Sequence, residues 1–114
     1  MSAAPTRPVL RYHGGKWRIA PRIIAMMPAH QVYVEPYCGA ASVLLRKPRA
    51  YAEVINDLDG RIVSLFRLLR DPEQTGRLFE ALPLTPFALA EFEDSYGECD
   101  EPVEAARRLI VRSF

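Results

Sequence analysis

Residues 31–70 read QVYVEPYCGAASVLLRKPRAYAEVINDLDGRIVSLFRLLR, and the order of patterns in this stretch decides the fold. The run QVYVEP at 31–36 is β-branched and aromatic, which predicts a buried strand. Small residues from Cys38 to Ser42 break it, and Ser42–Arg46 starts a helix that Pro48 stops. A second strand is expected over Tyr51–Asn56, followed by a turn at Asp57-Leu58-Asp59-Gly60. Ile62, Leu65, Phe66 and Leu69 then recur at i, i+3, i+4 and i+7, the spacing of one core-facing helical stripe. Strand, glycine-containing turn, helix, strand, acidic turn, helix is a βαβα unit, from which parallel α/β sheets are built.

Upstream, residues 1–15 are rich in Pro and Gly and read as an irregular lead-in. Ala20, Ile23, Ile24 and Met27 fit one face of a helix running from Lys16 to about Met27, with Pro21 near its start and Pro28 ending it. Downstream of Asp71-Pro72, three helical stretches are expected at about 73–82, 86–96 and 102–114, parted by prolines and Gly97. The last would bury Val103, Ala106, Ile110 and Phe114. Two strands are too few for a stable parallel sheet, so the expected fold is α/β but C-terminally incomplete.

The composition is globular: 114 residues, 49% hydrophobic and 25% charged. No apolar run is long enough to span a bilayer, and the N-terminus lacks the apolar core of a secretory signal. Cys38 and Cys99 stand far apart and outside any CxxC spacing, which argues against a disulfide scaffold and against zinc. His13 has no partner ligand at useful spacing, so no metal is expected. The net charge of +1 hides an asymmetry. Residues 1–50 hold eight basic groups and one acid, and the remainder seven basic and thirteen acidic groups. A basic half is a hint of an anionic partner, although two halves that neutralise each other in the fold would give the same count.

Three motifs could carry chemistry. Tyr12-His13-Gly14-Gly15-Lys16 precedes the first helix, where glycines admit a ligand close to backbone and the lysine adds a point charge; an ordinary Gly-Gly turn would look the same. Val34–Ser42 runs from a strand end into a small-residue turn, the place where α/β sheets bind ligands, without the G-x-G-x-x-G spacing of dinucleotide sites. Asp57 lies at the end of the second strand, about twenty residues beyond Glu35, where an acid can accept from ribose hydroxyls. Asp57 would serve equally well as a helix N-cap, unless Asp59 takes that role.

Taken in order, Tyr12–Lys16, Val34–Val43 and Ile55–Asp57, followed by the helix Arg61–Arg70, resemble the Dam-type DNA adenine-N6 methyltransferases over about residues 9–71. The resemblance implies a partial Rossmann-like fold that binds S-adenosylmethionine with residues 1–72. Residues 73–114 would begin a helical target-recognition segment. It implies cofactor contacts from Tyr12, Lys16, Glu35, Pro36, Cys38, Gly39, Ala41 and Asp57, with Lys16 near the methionine end and Asp57 on the ribose. Family members often carry Gly where Ala40 and Ala41 stand. The implied acceptor is adenine in double-stranded DNA, in a restriction-modification setting, with Arg11, Arg18, Arg107, Arg108 and Arg112 facing phosphates.

The family's catalytic Asp-Pro-Pro-Tyr does not occur here; Asp71-Pro72-Glu73 is the nearest match. The expectation is therefore an N-terminal fragment with no catalytic residue of its own and no methyl transfer. The alternative is a non-catalytic nucleotide- or DNA-binding module. A cytoplasmic location is expected from the lack of targeting signals and from the unpaired cysteines, and the full-length enzyme is expected to be a monomer.

Overall fold

A computed structural model describes residues 5–12 and 15–113. His13, Gly14 and Phe114, each named in the sequence reading, lie outside the described residues. The chain forms two compact units, residues 1–58 and 59–114.

The first unit contains α1 (Ala20–Met26), β1 (Val32–Glu35), α2 (Ser42–Arg46) and β2 (Ala52–Ile55). Helix α1 begins four residues later than the apolar spacing predicts, with Pro21 in its first turn, where its missing N–H is not needed. Residues 17–19 form a turn instead, so Lys16 precedes the helix rather than opening it. At the other end Met27 is extended, as a residue before proline prefers. Strands β1 and β2 pair in parallel, with Tyr33 opposite Glu53, Val34 opposite Val54 and Glu35 opposite Ile55.

Alternation along the strands gives the sheet two different faces. Tyr33, Glu35, Glu53 and Ile55 share the face approached by α2, whose Leu44 amide donates to Glu35. Val32, Val34 and Val54 share the other and remain more than half exposed. The strand expected to be buried is thus only half-buried, and on one face only, because a two-stranded sheet with a helix on one side leaves the opposite side open. Helices α1 and α2 pack together, and Arg46 reaches from α2 to the Trp17 carbonyl at 2.6 Å while lying 4.5 Å over the Trp17 ring.

The second unit is helical: α3 (Gly60–Leu69), α4 (Pro72–Ala81), a 3-10 turn (Leu82–Leu84), α5 (Leu89–Asp94) and α6 (Pro102–Arg112). Asp59, Asp71 and Glu101 each cap the helix that follows by accepting backbone N–H bonds in its first turn. Helix α6 packs on α3 and α4 and buries Val103, Ala106 and Ile110, the face its spacing predicts. On α3 the buried set is Ile62, Leu65 and Leu68, with Phe66 and Leu69 half-buried, so the stripe is rotated from the predicted one. The compact units part after Leu58, and α3 folds with the helices that follow it. Helix α5 is shorter than the predicted 86–96 because the chain stays extended through Ala88.

Candidate functional site

The candidate site grows from the turn between β1 and α2. Pro36–Ala41 leaves the end of β1 and is tied to the end of β2 by three hydrogen bonds. Cys38 N donates to the Asn56 carbonyl at 2.8 Å, Asn56 Nδ2 to the Pro36 carbonyl at 3.2 Å, and Gly39 N to Asp57 Oδ2 at 2.9 Å. These bonds decide the question left open between Asp57 and Asp59. Asp59 caps α3 through the Arg61 amide and forms a bidentate pair with the Arg61 guanidinium, while Asp57 turns to Gly39.

Two residues in the turn adopt left-handed backbone, Gly39 at φ 49° and Ala41 at φ 54°. At Gly39 the absence of a side chain is required twice. A Cβ would sit in unfavourable left-handed geometry and would also meet the Tyr12 ring at 2.9 Å from Cε1. Tyr12 therefore lies directly against the turn, twenty-seven residues away in sequence. Gly15 N donates back to the Tyr12 carbonyl at 2.9 Å, closing the segment that carries Lys16.

The result is a cavity of about 120 Å³ lined by Tyr12, Gly15, Lys16, Glu35, Tyr37, Cys38, Gly39, Ala40, Ser42, Val43 and Asp57. Six of the eight residues expected at the cofactor line it: Tyr12, Lys16, Glu35, Cys38, Gly39 and Asp57. The other two shape it from behind. The Pro36 carbonyl anchors Asn56, and Ala41, fully buried, supplies the second left-handed step before α2. Gly15, Tyr37, Ala40, Ser42 and Val43 complete the lining; all five lie within the segments Tyr12–Lys16 and Val34–Val43 but are not among the cofactor contacts that the resemblance implies.

Electrostatically the cavity combines two acids with one cation. Glu35 Oε1 accepts from the Tyr33 hydroxyl at 2.7 Å and from Leu44 N at 3.2 Å. Its second oxygen, Oε2, is buried without a hydrogen-bond partner. Burial pushes the Cys38 thiol pKa up, and the charges of Asp57 and Glu35 push it further, so this cysteine stays a neutral thiol and is a poor nucleophile.

The five arginines considered for DNA are placed unequally. Arg11 and Arg18 are exposed beside the first unit's irregular lead-in. Arg107 is largely buried between Glu91 and Glu104, Arg108 pairs with Glu104 at 3.0 Å and donates to the Gly97 carbonyl, and Arg112 stacks on Tyr96 at 5.7 Å. These three hold α6 to its neighbours within the second unit. Among the described residues no group of three or more His, Cys, Asp or Glu gathers as a metal site, and no helix is long and apolar enough to cross a membrane.

Residues 12–104, well over half of the chain, match the family model described as D12 class N6 adenine-specific DNA methyltransferase. The match begins at the aromatic residue of the first motif and covers every residue that lines the cavity. No curated protein matches the chain.

Proposed function

The chain belongs to the D12 class N6 adenine-specific DNA methyltransferases, and on that premise we propose that its first unit is the S-adenosylmethionine-binding part of such an enzyme. The observation that carries the proposal is the convergence of Tyr12, Lys16, Glu35, Gly39 and Asp57, from three separate segments, on one cavity. In this reading the cofactor part of a Rossmann-like fold is the first unit together with α3, over residues 1–72, and 73–114 begin the target-recognition segment.

The residues suit the cofactor's chemistry. Glu35 and Asp57 would accept from hydroxyl and ammonium donors, Lys16 would pair with a carboxylate, and the Tyr12 ring would offer an apolar surface. Glu35 Oε2, buried and unpartnered, is the kind of atom that a ligand donor satisfies. A volume of about 120 Å³ is well below the roughly 300–1,000 Å³ of whole small-molecule sites, so the cavity would enclose part of the ligand. When bound, S-adenosylmethionine supplies an electrophilic sulfonium methyl group. The protein's own work at this site is to bind and orient.

The acceptor in this reading is the exocyclic amino group of adenine in double-stranded DNA. Its lone pair is delocalised into the ring, so the base must be extruded, hydrogen-bonded and aligned with the methyl group. The sequence holds no Asp-Pro-Pro triplet to receive that amino group. We therefore assign these residues to cofactor binding, with no methyl transfer by them unaided. Arg11, in the lead-in, and Arg18, in the turn before α1, are both exposed and are the proposed phosphate contacts.

Calorimetric titration with S-adenosylhomocysteine tests the central assignment. Saturable binding is expected, weakened at least about tenfold, or 1.4 kcal/mol, in Asp57→Ala. No binding by the native chain would overturn the cofactor reading. Tritiated methyl transfer to DNA by the purified chain would overturn the assignment to cofactor binding alone.

A further inference from the structure

One side chain beside the cavity has a geometry that neither the motifs nor the family match assigns. Tyr33 stands two residues before Glu35 on the same sheet face, and its hydroxyl donates to Glu35 Oε1 at 2.7 Å. Leu44 N, in the first turn of α2, donates to that same oxygen at 3.2 Å. Oε1 is thus doubly engaged, while Oε2 is buried with no donor from the protein. A buried carboxylate oxygen left in this way is unfavourable unless something else completes it.

The Tyr33 ring is itself held. Lys47 Nζ lies 4.5 Å over its centroid, donates to Glu53 Oε2 at 2.9 Å and to the Pro48 carbonyl at 2.8 Å, and Glu53 is the cross-strand partner of Tyr33. The Lys47 side chain is only 1% exposed. Glu53, Lys47, Tyr33 and Glu35 therefore form a continuous row across the sheet and the C-terminal end of α2. Burial and the neighbouring carboxylates push the Tyr33 phenol pKa up, so the hydroxyl remains a donor throughout the neutral range.

We propose that Tyr33 is a positioning residue for Glu35: together with the Leu44 amide it fills one carboxylate oxygen and fixes the other for a hydrogen-bond donor of the bound cofactor. This rests on the cofactor reading above. The donor is an ammonium or a ribose hydroxyl, both of which S-adenosylhomocysteine carries.

The experiment is a double-mutant cycle read by calorimetry. Tyr33→Phe keeps the ring beneath Lys47 and removes only the hydroxyl, and Glu35→Gln removes the charge it orients. Tyr33→Phe is expected to weaken S-adenosylhomocysteine about five- to tenfold with a thermal midpoint close to native. In the Glu35→Gln background the same change should have little further effect, since Tyr33 acts through the carboxylate. A general structural role would instead give the same loss in both backgrounds, and that result would overturn the proposal. So would unchanged affinity in Tyr33→Phe.

Methylthioadenosine, which keeps the ribose and lacks the ammonium, separates the two donors. A Tyr33→Phe effect that disappears with this probe identifies the ammonium, and one that persists identifies the ribose; both support the proposal. Absence of any binding to the native chain would instead strike the cofactor reading itself. Should Tyr33→Phe fold poorly, Lys47→Met, which releases the ring from its cation, is expected to weaken binding in the same Glu35-dependent way. Equal losses in the native and Glu35→Gln backgrounds would again overturn the proposal.

Discussion

Replacing Gly39 with alanine adds a single methyl group at the most crowded point of the site. The new Cβ would lie 2.9 Å from Cε1 and 3.0 Å from Cδ1 of Tyr12, distances at which one of the two must move. Two effects can be separated. Left-handed backbone at φ 49° costs an L-residue roughly 1–2 kcal/mol, whatever the space around it. The clash adds to this, but Tyr12 is 40% exposed, so its ring can swing outward more easily than the hydrogen-bonded turn can shift. The stability loss should thus stay near the strain value, about 1–2 kcal/mol, or about 4–10 °C in midpoint for a domain of this size. The loss in ligand affinity should be the larger effect, because the displaced ring is one wall of the cavity. Urea unfolding followed by circular dichroism measures the first effect and S-adenosylhomocysteine titration the second. In a Tyr12→Ala background the strain should persist and the affinity penalty of Gly39→Ala should vanish. Native stability together with native affinity in Gly39→Ala would refute the geometry argued for the turn.

Ala41→Gly should act in the opposite direction. Relief of roughly 1–2 kcal/mol of left-handed strain outweighs about 0.8 kcal/mol for the lost buried methyl, so the urea midpoint should rise slightly; a clear fall would contradict the balance. The hydrogen bonds from Arg107 and then Arg108 hold the Glu104 carboxyl down to about 2 from its usual 4.5. Because the folded value is the lower one, this contribution is complete above pH 4.5 and declines as the pH falls toward 2. Glu104→Gln should therefore flatten the acid limb of the stability curve measured by thermal melts between pH 2 and 6. Iodoacetamide at neutral pH should label Cys99, half-exposed, ahead of Cys38, whose thiol is buried and raised in pKa; mass spectrometry showing Cys38 labelled first would contradict that assignment.

Both strands were legible from the sequence within a residue at each end, since QVYVEP and YAEVIN are bounded by turn residues. Helix α1 was less so: Ile23 and Ile24 report a helical face, but only the position of Pro21 fixes the first turn, which then excludes Lys16. In α3 the choice among Leu65, Phe66, Leu68 and Leu69 depends on where α6 lies, and a helix whose apolar positions exceed one stripe does not encode that by itself. The cavity was legible because its groups are chemically distinctive: glycine where backbone must be left-handed, acids at strand ends, an aromatic beside Gly-Lys. Asp57 and Asp59 were equivalent candidates for the cap until the Gly39 amide and the Arg61 amide separated them. Tyr33 enters the sequence only as one residue of the β-branched and aromatic run at 31–36. Its two-residue spacing to Glu35 was the signal, and only the bond to one particular oxygen gives it meaning.

The most direct measurement of the central claim is a nitrogen–proton correlation spectrum of the isotopically labelled chain, titrated with S-adenosylhomocysteine. Concentration-dependent shifts should concentrate at Tyr12, Gly15 and Lys16, at Glu35 and Cys38–Val43, and at Asp57, while α4 to α6 stay still. A spectrum that does not move, or one that moves only in α4 to α6, would contradict the assignment of this cavity to the cofactor.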